Sequence, residues 1–467
     1  MNSDRRPVTS SLLPALMLFA VLALVFFRGS EDAALPEPRW AGVARVDVTP
    51  GAPVRLTGYA GRPSPHTGVA QRLWGKVLAI GGAGDAPVLW LTLDNCGVTR
   101  EVWLELRGRI TQRTGVAAER IVMTISHTHS APATTGWAPF IQPEHLTVAE
   151  HAAIAGYTRG MLDKLESAAV AALAHRFPAQ LSWSEGRATF AANRRTPGGP
   201  VDHALPVLKV ESRDGKIRAL VASYACHCTT CSGGVMQVCG DWAGFAQEAL
   251  ERDWPGAQAM IAIGCGADAN PGPRGGADGG IALARQHGEA VAAEVRRLAG
   301  GSFHPLTGSL VARRVEAPLP YAPHFTAEQW AQRAQQDGIT GRHARHWQAQ
   351  LAGGAALPAS LEYEVTAWYF GDELALLFLP GEVVVDYSLQ LKRDFDVARL
   401  WVNAYSNWVP CYIPSRRILS EGGYEAEGSL WYYGRPGQLA PESEETILRA
   451  ARAALPDSFR ARPEPGL

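Results

Sequence analysis

Residues 124–132 read TISHTHSAP and place two imidazoles, His127 and His129, one residue apart behind the alternating run RIVMTI. Side chains alternate along a strand, so a strand carried through this stretch points both rings the same way. Two imidazoles on one side share a metal, or pair a ligand with a proton-transfer group; the same spacing also occurs as a polar pair facing solvent. Further polar groups stand where apolar runs break. ALVASYACHCTT delivers His227, and MIAIGCGADANPGP delivers Asp268 and Asn270 in a glycine-rich turn. LALLFLPGEVVVDYSLQL puts Glu382 between a buried strand and a helix start. A carboxylate suits that place, because the first helical turn carries partial positive charge. Taken singly, His227 reads more readily as a hydrogen-bonded core histidine and Glu382 as a helix-capping acid. Together, two or three imidazoles and a carboxylate fit a catalytic zinc site, which keeps one position for water. Spacing alone does not bring them together, since they lie far apart in the chain.

The elements that must position them alternate between the two periods. AGVARVDVT, VRLTGYA, LWGKVLAIGG and APVLWLTLD read as strands, followed by a helix over 101–114 and the strand RIVMTI. Apolar spacing predicts a long helix over 149–175 and helices over 241–253, 281–298 and 444–455. AQLSWSEGRATF, PVLKVES and IRALVASYA read as strands, and 361–382 as a hairpin turning near Gly371 and Asp372. The mixture predicts a mixed α/β (α+β) fold: one large catalytic domain, its mixed β-sheet core flanked by helices.

Composition narrows the partners. The 467 residues carry 44 Lys and Arg against 45 Asp and Glu, a net charge of −1, and are 46% hydrophobic. That is globular composition with a large core, and near-neutral charge without a basic run argues against nucleic acid as the main partner. Arg5 and Arg6 precede an apolar run over 12–27 that Arg28 closes. The run is a little short of the ~20 residues that span a bilayer comfortably and longer than a usual signal core. It reads as an export signal or an uncleaved signal-anchor. Either places the bulk of the protein outside the cytoplasm, on the periplasmic or extracellular face, with membrane association through this segment. The expected organisation is therefore a signal or anchor segment with linker over 1–39, one large domain over 40–458 and a Pro-rich tail over 459–467.

Four of the seven cysteines, Cys226, Cys228, Cys231 and Cys239, crowd into ACHCTTCSGGVMQVCGDW. A zinc ribbon needs a second CxxC pair, which the sequence lacks. A local disulfide across this loop is the expectation in an oxidising compartment, its pairing left open.

Read in order, AGVARVDVTP, LTGYAGR, SHTHSAP, AANRRTP, ACHCTT, CGDWAGFA, DANP, LPGE and YSNWVPCYIPSRRILSEGGYEAEGS make the chain recognisable. From about Trp40 to the C-terminal helix it resembles the catalytic domain of the neutral/alkaline non-lysosomal ceramidase family, in a short form without the family's C-terminal β-sandwich domain. The resemblance implies a zinc-dependent amidase that cleaves the N-acyl bond of a sphingolipid-like amide. It puts the zinc ligands on His127, His227, Glu382 and Tyr412, the second-site histidine on His129, and the family's N-R arginine on Arg194. Tyr424 keeps the family's spacing from Tyr412.

The implied chemistry follows from these types. Zinc lowers the pKa of bound water to about 7. The negative charge developing on the amide oxygen falls to zinc, Tyr424 or Arg194, and His129 carries the proton from water to the leaving amine. Asp241 or Asp268 is expected to orient a histidine through its second nitrogen. The family's Asp-x-Ser-Pro segment reads Asp268-Ala269-Asn270-Pro271 here. A serine-acyl route is thereby closed, and the departure bears on the substrate more than on the metal. Two other readings compete: a zinc esterase or amidase on another acylated substrate, and a membrane-tethered zinc-binding protein without turnover. His129, Tyr424 and Arg194 speak against the last, because a structural zinc site needs none of them.

Overall fold

A computed structural model describes residues 39–82 and 86–461, with Met1. The apolar run over 12–27 and residues 462–467 lie outside the described residues. The described residues from Arg39 onward group into one compact unit. Among the described residues no helix is long and apolar enough to cross a membrane.

Alternation is what builds the main sheet. Along Val88–Leu93, Val88 and Trp90 enter one core while Leu89, Leu91 and Leu93 enter another. Both faces are thus buried, and the strand reads as a continuous apolar run. Eight strands follow in the order Gln258–Ile263, Ile217–Tyr224, Ala204–Ser212, Phe177–Arg187, Arg39–Asp47, Trp74–Gly81, Val88–Leu93 and Ile121–Ile125. His304–Pro305 adds a ninth, short strand on Phe177–Arg187. The pair at each end of the order is parallel and the pairs between are antiparallel. The sheet is mixed, as its sequence pattern predicts.

Helices cover one face. Val148–Ala174 starts on a capping box in which Thr147 and Glu150 satisfy each other's backbone N–H groups. It lies against Arg39–Asp47 and Trp74–Gly81. The approach is close enough that a Cβ on Gly42 would sit 1.9 Å from the Ala172 carbonyl oxygen, so only glycine fits there. The other face packs on a second sheet of Leu310–Glu316, Glu364–Phe370, Leu374–Phe378 and Leu400–Asn403. Trp90, Trp368, Phe378 and Trp401 fill the gap between the sheets with tilted and edge-on rings. The predicted hairpin is the central pair of this second sheet, with Gly371 at φ +46 in its turn.

One relationship makes a site feasible. A flat eight-stranded sheet would hold its edge strands roughly 30 Å apart at the usual strand spacing. Here a single dipeptide touches both edges. Ala404 N donates to Ile263 O at 2.9 Å, and Ile125 N donates to Tyr405 O at 3.0 Å. The sheet is therefore curled until the ends of its two edge strands meet. Tyr405 and Asn407 take positive φ of +48 and +66 to make this join, a conformation costing about 1–3 kcal/mol per residue.

Two local expectations fail. Residues 54–60 form no strand: Gly58 turns the chain at φ +88, and Thr57 N and Arg55 O bond instead to Ala131 O and Ala133 N beside the histidine loop. The expected disulfide is also absent, all seven cysteines being free and buried. Hydrogen bonds close that loop instead. The Asp241 carboxylate accepts from Thr230 N and Cys231 N, and Cys239 N donates to Ser130 O. The sequence pattern also did not reveal the helices Ala327–Ala334 and Gly338–Ala352 or the strand Leu310–Glu316.

Candidate metal centre

His127 does not lie on a strand. The strand ends at Ile125, and His127 sits in the following loop at φ +57. The two rings converge all the same, with His129 Nε2 3.1 Å from His127 Nε2. Gly58 packs flat on His129, where a Cβ would come 2.4 Å from the ring, and the Tyr59 ring stands edge-on at 4.7 Å. The segment misread as a strand is thus the wall that holds His129.

From the other end of the sheet, His227 follows Ile217–Tyr224, the strand next to the edge, and is fully buried. Its backbone is pinned by N–H donation to Ala269 O at 3.0 Å and by Trp242 Nε1 donating to its carbonyl at 2.9 Å. Glu382 and Tyr412 arrive together, because Glu382–Val383 and Tyr412–Ile413 form a two-residue parallel ladder that sets the two residues side by side.

The four side chains meet. Glu382 Oε2 lies 3.1 Å from His127 Nε2 and 2.9 Å from His227 Nε2, and the Tyr412 hydroxyl lies 3.2 Å from His227 Nε2. Tetrahedral zinc with bonds near 2.0–2.1 Å holds its ligand atoms roughly 3.3 Å apart, so this spacing needs little adjustment.

The protons sharpen the point. His127 Nδ1 lies 2.6 Å from Cys96 O and His227 Nδ1 lies 2.9 Å from Gly266 O, so each ring donates to a carbonyl on its far side. A neutral ring then offers only a lone pair at Nε2. Two such lone pairs face one carboxylate oxygen, which is repulsive unless a metal ion or a shared proton lies between them. The donor set fits zinc, and these backbone carbonyls do the orienting expected of Asp241 or Asp268. That expectation is corrected. Asp241 is spent on the loop described above, and Asp268 accepts from Val385 N at 2.9 Å and Asn193 Nδ2 at 3.2 Å.

Without a metal, charge is shared within the cluster. Burial alone would raise the Glu382 carboxyl, but charge on His127 and the contacts with both imidazoles hold it well below the usual carboxylate range, a proton on His127 standing where the metal would. Burial works against charge on His127 too, yet Cys96 and Glu382 beside it lift the ring well above ordinary histidine. Burial and Arg194 push His227 down to about 4, and burial with its two histidine neighbours pushes His129 well down. His129 is therefore a neutral imidazole, and its buried Nδ1 has no hydrogen-bond partner.

Arg194 and Asn270 come together because Ala191–Asn193 and Ala269–Pro271 pair antiparallel. Arg194 Nη2 donates to the Tyr412 hydroxyl at 3.0 Å, and its Nε pairs with Glu425 at 2.8 Å. Tyr424 is 47% exposed, its ring edge-on to Tyr412 at 5.5 Å. Asn270, Arg194 and Tyr424 line one cavity beside this centre, with Thr229 donating to Asn270 Oδ1 at 3.2 Å. Asn270 borders the mouth rather than the histidine cluster.

Sequence reasoning missed several contributors. The Tyr433 hydroxyl donates to Glu382 Oε1, leaving Oε2 to face the histidines. The Tyr405 ring lies 4.6 Å from that of His127, and Glu425 binds both Arg194 and Arg195. Tyr433 falls in LWYYGR, where nothing separates it from its packing neighbours.

Comparison with known proteins bears on the family and the fold. Residues 40–293 match the sequence model of "Neutral/alkaline non-lysosomal ceramidase, N-terminal". Among solved structures, the neutral ceramidase from Pseudomonas aeruginosa is 19% identical with a TM-score of 0.70, the match covering 89% of this chain and 74% of that one. A ceramidase complexed with C2 is 18% identical with a TM-score of 0.69, covering 91% of this chain and 77% of that one. No curated protein matches the chain. On the strength of the sequence match, the chain belongs to the neutral/alkaline non-lysosomal ceramidase family.

Proposed function

We infer that the protein is a zinc-dependent hydrolase of an N-acyl amide bond, ceramidase-like, with His127, His227, Glu382 and Tyr412 as ligands. The observation that carries this reading is the meeting of two imidazole Nε2 atoms on Glu382 Oε2 at 2.9 and 3.1 Å, with both Nδ1 atoms turned onto backbone carbonyls. When bound, zinc would polarise the amide carbonyl and lower the pKa of water.

The chain's own residues supply the rest. His129, held neutral beside the cluster, accepts a proton from the attacking water at Nε2 and returns it to the amide nitrogen as that nitrogen leaves. Burial holds the Tyr412 hydroxyl well above the ordinary tyrosine range, and Arg194, donating to it at 3.0 Å, works against that and favours the charged, ligating form. Tyr424, edge-on to the Tyr412 ring, is the hydrogen-bond donor for the oxygen on which charge develops, and Asn270 lines the cavity mouth. Asn270 cannot be acylated, so water is the nucleophile. An exported setting and membrane attachment through 12–27 belong to the same proposal.

The test is hydrolysis of a panel of N-acyl lipids, N-acyl amino acids and simple esters, with and without zinc. Zinc-dependent release of fatty acid from amides supports the reading. Release from esters alone favours the zinc esterase, and no release from any substrate favours a binding protein.

A further inference from the structure

The cavity beside Tyr412 has a volume of about 760 Å³ and is walled by two arginines, two glutamates, Thr196, Asn270, two glycines and Tyr424. It holds no aliphatic side chain. Its charges cancel and are mutually engaged: Arg194 Nε is 2.8 Å from Glu425, and Arg195 is 2.5 Å from Glu425 and 3.0 Å from Glu421. A free carboxylate or phosphate would find no unspent cation on these walls. What they do offer is the Thr196 hydroxyl and the Asn270 amide, whose oxygen is already bonded to Thr229.

The surface agrees. Among the described residues no Leu, Ile or Phe is exposed, and the exposed large apolar residues beyond Met1 are Trp40, Val69, Val148, Val397 and Tyr424, each on a different element. Tyr424 alone of these lines the cavity, so the described residues give its entrance no strongly exposed apolar rim. Drawing an alkyl chain out of a bilayer needs such a rim and an apolar wall to receive the chain.

We propose that this cavity receives an uncharged, hydroxyl-bearing half of the substrate, short in reach and met in water rather than extracted from a membrane. The proposal rests on the amidase reading above and narrows it to short N-acyl amino alcohols.

The test is a soluble series of N-acyl amino alcohols in which the amine half grows by single methylenes while the acyl group is fixed. An apolar wall would raise kcat/KM by about fourfold per buried methylene. The expected result is less than about threefold change across the whole series, with no gain when the amides are presented in phosphatidylcholine vesicles. Thr196→Leu, an exposed loop substitution, should introduce chain-length dependence by supplying an apolar wall. A steep rise with chain length in the unaltered protein, or faster turnover in vesicles, overturns this inference and leaves the amidase reading intact. No hydrolysis anywhere in the series overturns both.

Discussion

Glu382 stands opposite Tyr412 in a parallel ladder only two residues long, so one backbone register delivers two candidate ligands at once. The Glu382 N–H donates to Cys411 O at 3.0 Å, which fixes that register. Glu382→Gln keeps the shape and removes the charge between the histidines. Zinc affinity, measured by competition with a chromogenic chelator, should fall at least 100-fold, beyond the ~10–100-fold usual for outer partners. Unchanged affinity would place the metal elsewhere.

Tyr433 acts on the same carboxylate from behind. Its hydroxyl takes Glu382 Oε1 and is buried. Tyr433→Phe should weaken zinc by about 10–100-fold with little change in the urea midpoint. A variant that binds zinc normally would show that packing alone orients Glu382.

His129 and Asn270 should separate in kinetics. His129→Ala should lower kcat by ~10²–10⁴-fold with zinc retained, because the lost group moves a proton rather than holding metal. Asn270→Ala should cost less, and Asn270→Ser should be tolerated. Full activity in His129→Ala at normal zinc content would reduce the ring to a structural neighbour.

Acid stability should depend on a histidine outside the candidate ligand set. His343 has no exposed surface and packs between Trp330 and Trp431. Burial pushes it from 6.5 down to about 4. The unfolded chain therefore binds this proton first as pH falls, so stability is intact above pH 6.5 and is lost between 6.5 and about 4. The loss is about 3 kcal/mol. His343→Gln should flatten that part of the pH profile of the urea midpoint. An equally steep profile in the variant would assign the loss to other groups.

Much of this was legible because strand alternation and helical spacing are local. The strands around the candidate site, the 241–253 helix, His127, His129, His227 and Glu382 could all be read from their own neighbours in the chain. Convergence could not, because it depends on the sheet curling until Ile125 and Ile263 flank Ala404–Tyr405. Nothing near either strand encodes that closure. The 54–60 segment misled because its apolar residues face the histidine loop rather than a sheet, and Gly58 sets its path. Tyr412 came only with the family pattern. Tyr433 escaped even that, since a buried tyrosine looks the same in sequence whether it packs or orients a ligand.

The central claim is that one metal is held between His127, His227, Glu382 and Tyr412. Its most direct test is elemental analysis of the purified protein and of His227→Ala after equilibration with zinc and removal of free metal. The account predicts one zinc per chain in the unaltered protein and almost none in the variant, both folded by circular dichroism. Equal zinc in the two proteins, or none in the unaltered one, would contradict it.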